Sequence, residues 1–171
     1  MKSLFRSLLK RRTLMDIGVE DIAATGVKVV AIDADNTSGV DGKPEPLPGA
    51  KAWVDQVKAA GYPVVLLSNA KTARAKLLAD QLGTDVIGMA IKPNPIGYFR
   101  VCLRYHIRPS QLLMIGDQVI TDVLGANLAG AKNFYVFPYA PEERNVRTYA
   151  AKRKLEAWLF SAQELLDQKK R

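Results

Sequence analysis

Short runs of consecutive apolar residues alternate along this chain with longer stretches whose apolar positions recur every three to four residues. Val27 to Ile32 (VKVVAI), Pro63 to Leu67 (PVVLL), Val86 to Ala90, Leu112 to Ile115 (LLMI) and Asn133 to Phe137 read as strands. Ala50 to Ala60 reads as a helix stopped by Gly61, and Thr72 to Leu82 as one ending at Gly83. Pro95 to Tyr105 and Val119 to Leu128, the latter ending near Gly130, are the next two. A Gly/Pro-rich loop, Ser38 to Gly49, follows the first strand. Strands apolar on both faces and separated by helices predict an α/β fold, a five-stranded parallel sheet with helices on both faces. Ligands bind such sheets at the carboxyl ends of the strands.

Composition narrows the chemistry. The 171 residues suit one domain and bury enough surface to fold without a disulfide or structural metal. Cys102 is the only cysteine and His106 the only histidine, so a Cys/His zinc site is effectively excluded and a reducing, cytoplasmic setting is expected. Cys102 reads as a small apolar residue inside a helix and His106 as structural. No apolar run reaches the 18 or so residues of a membrane span, and the first residues lack the features of a secretory signal.

The net charge of +8 sits at the ends. Met1 to Arg12 carries five positives and no acid; Arg144 to Arg171 carries eight positives against three acids. Thr13 to Glu143, with 12 positives and 14 acids, is slightly acidic. That distribution predicts a single domain with a core over about 13–143 and basic flanks, and it argues against a nucleic-acid partner. The flanks show helical spacing, with Leu4, Phe5, Leu8 and Leu9 at one end and Trp158, Leu159, Phe160, Leu165 and Leu166 at the other. Two readings fit: terminal helices packed on the domain, or basic amphipathic helices in peripheral contact with an anionic membrane.

The strand ends hold the candidate chemistry. The first runs into Asp33-Ala34-Asp35-Asn36-Thr37. Two carboxylates this close to a buried strand are costly unless a cation or shared proton offsets them, and Mg²⁺ is such a cation. The second strand ends in Ser68-Asn69, the third leads to Lys92 between prolines, and the fourth ends in Gly116-Asp117 with Asp122 five residues on. Taken singly these have plain explanations: a capped turn, an N-cap serine, a solvated lysine, an acid favoured by a helix dipole. Their weight comes from convergence on one rim of one sheet.

In this order and placement the residues resemble the haloacid dehalogenase (HAD) superfamily, over about Val27 to Phe137. Asp33-Ala34-Asp35-Asn36-Thr37 is similar to its first motif, Ser68 to the second, Lys92 to the third, and Gly116 to Asp122 to the GDxxxxD form of the fourth. Within the superfamily the DxDNT start, the serine-asparagine turn, Lys92-Pro93, the GDQxxTD string and the basic Arg153-Lys154-Leu155-Glu156 segment resemble the YqeG branch, related to the mitochondrial phosphatidylglycerophosphate phosphatases. Two departures are Ser38-Gly39, where an apolar residue is expected after the threonine, and Ala70, where relatives often carry a second asparagine.

The resemblance implies a Mg²⁺-dependent phosphatase. Asp33 would attack phosphorus and carry the phosphoryl group, and Asp35 would serve as general acid and then base. Thr37, Ser68, Asn69 and Lys92 would hold the phosphoryl oxygens. The metal would be held by Asp33, the main-chain carbonyl of Asp35, and Asp117, with Asp122 as a further or supporting ligand.

Only 30 residues (38 to 67) separate Thr37 from Ser68 and 23 (69 to 91) separate Ser68 from Lys92, too few for an inserted cap domain. A flap around Gly39 to Pro48 is all that fits. A site without a cap needs a second surface to exclude water, which favours large substrates. Combined with the basic ends, this makes a lipid phosphate the leading expectation. A soluble sugar or nucleotide phosphate, and a non-catalytic interaction module on the same fold, are the alternatives.

Overall fold

The protein is described here by a computed structural model covering residues 4–139 and 154–159. Six parallel strands form one sheet: β1 (Leu9–Arg11), β2 (Val29–Ile32), β3 (Val64–Leu67), β4 (Asp85–Ile87), β5 (Leu112–Gly116) and β6 (Lys132–Val136). Their spatial order is β1-β6-β5-β2-β3-β4. Five helices connect them: α1 (Val19–Ala23), α2 (Ala50–Ala59), α3 (Thr72–Leu82), α4 (Ile96–Arg104) and α5 (Leu124–Ala129).

The apolar runs explain the layering. Alternate strand residues point to opposite faces. Val30, Ile32, Leu66 and Ile115 pack with Trp53, Val54 and Val57 of α2 and Leu78 and Leu82 of α3. Val29, Ala31, Val65, Leu67 and Met114 pack on the other face with Tyr98, Val101 and Cys102 of α4 and Ala126 of α5. Burying each such aliphatic side chain is worth about 1.5–3 kcal/mol. Helices α3 and α5 stop where expected, because Gly83 (φ 70°) and Gly130 (φ 77°) take left-handed conformations that close a helix end.

The sheet has six strands rather than five, and the extra one comes from the N-terminal flank. Residues 9–11 are an edge strand, not part of a basic helix: Leu9 pairs with Phe134, Lys10 with Tyr135 and Arg11 with Val136. Without it β6 would expose a row of unpaired N–H and C=O groups. Phe5 packs against Val119, Val123 and Tyr135, and Leu9 against the main core, whereas Leu4 and Leu8 are exposed. Of the expected C-terminal helix, residues 154–159 are helical, and the remainder lies outside the described residues. Glu156 is buried there, its Oε1 accepting from the Val119 N–H at 3.2 Å.

Two other expectations shift. The third strand ends at Ile87, and Ala90 belongs to the loop that follows. The helix expected over Val119 to Leu128 opens with a wider π turn over Val119–Val123 before α5 begins. Wide turns of this kind recur at functional sites, and this one carries Asp122. The short α1 had no clear sequence signal. It buries only Ile22, and its start is held by the Gly18 N–H donating to Asp21 Oδ2 at 3.2 Å.

Candidate active site

Strand order alone gathers the predicted residues. β2 is central, with β5 on one side and β3 on the other. Ile32 stands level with Ile115 and Leu66, so Asp33 lies one residue beyond that level while Asp117 and Ser68 lie two residues beyond it on the neighbouring strands, all at one rim. The rim is fixed by two main-chain bonds, Asp33 N–H to Ile115 O at 2.9 Å and Ser68 N–H to Ile87 O at 3.0 Å.

Lys92 arrives from the loop after β4 and binds the acids together. Its Nζ lies 2.6 Å from Asp33 Oδ1 and 2.7 Å from Asp122 Oδ1, with all three side chains buried. Asn69 sets the position of Lys92. Its Oδ1 accepts from the Lys92 N–H at 2.7 Å, and its Nδ2 donates to the Lys92 carbonyl at 3.0 Å. The expected phosphate-holding amide is thus turned to the lysine's main chain, as a positioning residue. Asp122 is fixed twice more: its Oδ2 accepts from the Gln118 N–H at 3.0 Å, and the Tyr98 hydroxyl donates to the carbonyls of Thr121 and Asp122 at 3.0 and 3.2 Å.

The electrostatics follow from burial. Loss of water pushes the Asp33 carboxyl up to about 6, with Lys92 pulling it down and Asp122 and Asp35 pushing it further up. Burial pulls the Lys92 ammonium down, but Asp122 and Asp33 outweigh it and its pKa lies above the ordinary lysine value. Three buried acids therefore face one buried ammonium. One carboxylate oxygen from each of Asp33, Asp117 and Asp122 lies within 4.8 Å of the others. Clustered hard oxygen donors with excess negative charge fit a hard divalent cation. Asp35 contributes no side-chain oxygen to that group.

The hydroxyls fit an anion beside the acids. Thr37 Oγ1 is buried with no hydrogen-bond partner among the described residues. Leaving a buried hydroxyl unpaired costs about 1–3 kcal/mol, which a phosphoryl oxygen placed there would offset. Ser68, also buried, accepts from the Ala70 N–H at 3.0 Å, which leaves its O–H to donate.

Two residues of the site escaped the sequence reading. Ser38 stands where an apolar residue was expected, and its hydroxyl donates to the Asp33 carbonyl at 2.6 Å. It therefore fixes the main chain of the acid it follows by five residues. Arg74, in the first turn of α3, forms a two-pronged pair with Asp35, Nη1 to Oδ1 at 2.6 Å and Nη2 to Oδ2 at 2.9 Å. The flap joins this pair, the Gly42 N–H donating to Asp35 Oδ1 at 3.0 Å. Helical periodicity marks Arg74 only as a polar position near a helix start, and nothing in its spacing points to Asp35. His106 is exposed at the end of α4, away from the site, and Cys102 is buried in the core.

The family model for haloacid dehalogenase-like hydrolases matches residues 4–130. The protein named "Probable phosphatase YqeG" of Bacillus subtilis (strain 168) is 29% identical over 151 residues, 88% of this chain and 87% of its own. A phosphoglycolate phosphatase of Nitrosospira multiformis is 30% identical over 105 residues, covering 56% of this chain but only 45% of that enzyme. A crystal structure of an uncharacterized protein from Listeria monocytogenes serotype 4b shares the fold, with TM-score 0.56 and 20% identity over 64% of this chain and 78% of that one. The chain belongs to the haloacid dehalogenase-like hydrolases, and its similarity to the YqeG protein runs over most of its length.

Proposed function

We propose that this haloacid dehalogenase-like hydrolase is a Mg²⁺-dependent phosphatase that cleaves phosphoric monoesters through an aspartyl-phosphate on Asp33. The observation that carries the reading is the bridge from Lys92 to Asp33 and Asp122, with Asp117 in the same buried cluster. Asp33, Asp117 and Asp122, with the Asp35 carbonyl, would hold the cation, which supplies charge neutralisation for the phosphoryl oxygens.

An oxygen of Asp33 attacks phosphorus, and the bond from phosphorus to the alcohol oxygen breaks. Asp35 gives that oxygen its proton and the alcohol leaves. The Asp35 carboxylate then takes a proton from water, whose oxygen attacks phosphorus and releases phosphate and the free Asp33 carboxylate. Lys92, Thr37 and Ser68 stabilise the equatorial oxygens throughout. Asn69 and Ser38 keep Lys92 and Asp33 in register.

The substrate we favour is an amphiphile of the phosphatidylglycerophosphate kind, met by one domain at an anionic membrane face in the cytoplasm. The rim of the site supports this. Met89 and Ile91, flanking Ala90 just before Lys92, are 59% and 64% exposed, and Phe137 and Tyr139 after β6 are 54% and 46% exposed. The Tyr139 N–H donates to the Asn36 carbonyl at 3.1 Å, which keeps this second apolar edge against the first motif. Ile96, Phe99 and Leu103 continue the exposed apolar surface along α4. The net charge of +8 favours an anionic surface. No helix among the described residues is long and apolar enough to cross a membrane.

The test is phosphate release from phosphatidylglycerophosphate in anionic vesicles, against sugar, nucleotide and glycolate phosphates in solution, with Mg²⁺ and with chelator. Preference for the vesicle substrate is the expected result. Equal or better turnover of a soluble ester would move the assignment to the soluble reading, and no metal-dependent turnover of any ester would end both.

A further inference from the structure

The pair between Arg74 and Asp35 is more than a brace. Under the proposed chemistry, which this inference rests on, the leaving oxygen must reach Asp35. The body of the substrate then extends from that oxygen, on the leaving-group side of phosphorus. Both Asp35 oxygens are held by the Arg74 fork, at 2.6 and 2.9 Å. Turning an Asp35 oxygen toward the leaving group draws the carboxylate away from its two-pronged contact with Arg74. The guanidinium, always charged, then needs another anion. It is 28% exposed, against 2% for the Lys92 side chain, so substrate can reach it. Asp33 and Asp41 also act on it, so it lies at the edge of the site and not on a remote surface.

The geometry points to Arg74 as a subsite for a second anionic group carried by the alcohol part of the substrate. The guanidinium fork that now matches the Asp35 carboxylate matches a carboxylate or a phosphodiester equally well. Such a group takes Arg74 over, and Asp35 is freed to face the leaving oxygen. The arginine thereby joins recognition to chemistry. A monoester without a second anion leaves Asp35 clamped. The Gly42 N–H, which shares Asp35 Oδ1, ties the flap to the same exchange.

The experiment compares kcat/KM for two matched pairs of esters with the Mg²⁺-loaded full-length enzyme. One pair is phosphoglycolate against ethyl phosphate, in which the second anion is a carboxylate. The other is the deacylated headgroup glycerophosphoglycerophosphate against glycerol 3-phosphate, in which it is a phosphodiester. The wild type is expected to prefer the doubly anionic member of at least one pair by about 10- to 100-fold, the range of one charge-assisted contact. Which pair shows the preference identifies the group. Arg74→Gln should bring the ratio close to 1, chiefly through KM, and Arg74→Lys, which keeps the charge without the fork, should fall between. A wild-type ratio near 1 for both pairs would overturn the inference without any variant. So would a loss in Arg74→Gln that is the same for every ester, which is what a purely structural brace would give. No turnover of any of the four esters by the wild type would defeat the phosphatase reading and this inference with it, whereas turnover with unchanged ratios would defeat this inference alone.

Discussion

A Cβ placed on Gly116 would lie 2.3 Å from Oδ2 of Asp122. The glycine of the fourth motif is therefore the space in which its second aspartate sits. Gly116→Ala should push the Asp122 carboxylate off Lys92 and the Gln118 N–H. Removing one arm of a buried ion pair costs about 3–5 kcal/mol. A fall in thermal stability of that order, together with loss of turnover, is expected in unfolding and activity assays. A variant with native stability and activity would show that Asp122 has room to move.

Asp33→Asn should abolish turnover, by on the order of 10³-fold or more, because the amide is a poor nucleophile. The fold should survive, since the amide keeps the shape and Asp122 still pairs with Lys92 at 2.7 Å. Steady-state kinetics and circular dichroism on one preparation check both halves.

The same variant tests the electrostatics of the metal-free protein. Asp33 is raised to about 6 from 3.8 in the unfolded chain, so the folded state holds its proton more tightly. Its contribution favours folding fully below pH 3.8 and is lost as pH rises toward 6, since the folded state binds more protons across that window. At neutral pH the charged carboxylate thus weakens the metal-free fold, by about 3 kcal/mol as an upper figure. With chelator present, Asp33→Asn should be more stable than wild type at pH 7 and lose that advantage near pH 4. Saturating Mg²⁺ should raise the melting temperature of wild type more than that of the variant.

Asn69 acts through Lys92 rather than on phosphate. Asn69→Ala should lower kcat/KM about 10- to 100-fold, the worth of its two hydrogen bonds to the lysine's main chain. Added to Lys92→Ala it should cost little more, because the group it positions is already gone. Fully additive losses in this double-mutant cycle would mean that the amide contacts the substrate itself.

The apolar rim separates surface turnover from chemistry. Replacing Met89 and Phe137 together by serine should slow hydrolysis of a vesicle-borne phosphate ester and weaken vesicle sedimentation. Turnover of a small soluble ester should change much less. An equal change in both would assign these side chains to the fold.

How much of this was legible depended on whether the signal was local. Buried strands with Gly-terminated helices between them, such as Val64–Leu67 followed by α3 and Gly83, carry their periodicity in a dozen residues. Motif residues at the strand ends, Asp33, Ser68 and Asp117, followed from their places just after the apolar runs of a parallel sheet, without its strand order. Edge strand β1 did not, because its three residues become a strand only through β6, more than a hundred positions away. The π turn was equally hidden, since a widened turn leaves the apolar spacing of Val119 and Val123 nearly unchanged. Arg74 and Ser38 show the same limit at the site. Their partners, Asp35 and the Asp33 carbonyl, are set by how α3 and the turn fold back, not by any spacing in the chain.

The central claim is that Asp33 becomes phosphorylated. Enzyme quenched during turnover with Mg²⁺ and a monoester, then treated with borohydride, reports this directly, because an aspartyl-phosphate is reduced to homoserine. Peptide mass spectrometry should find that conversion at position 33 and nowhere else, and it should vanish with chelator. Sustained turnover with residue 33 unmodified, or conversion at another aspartate, would contradict the account.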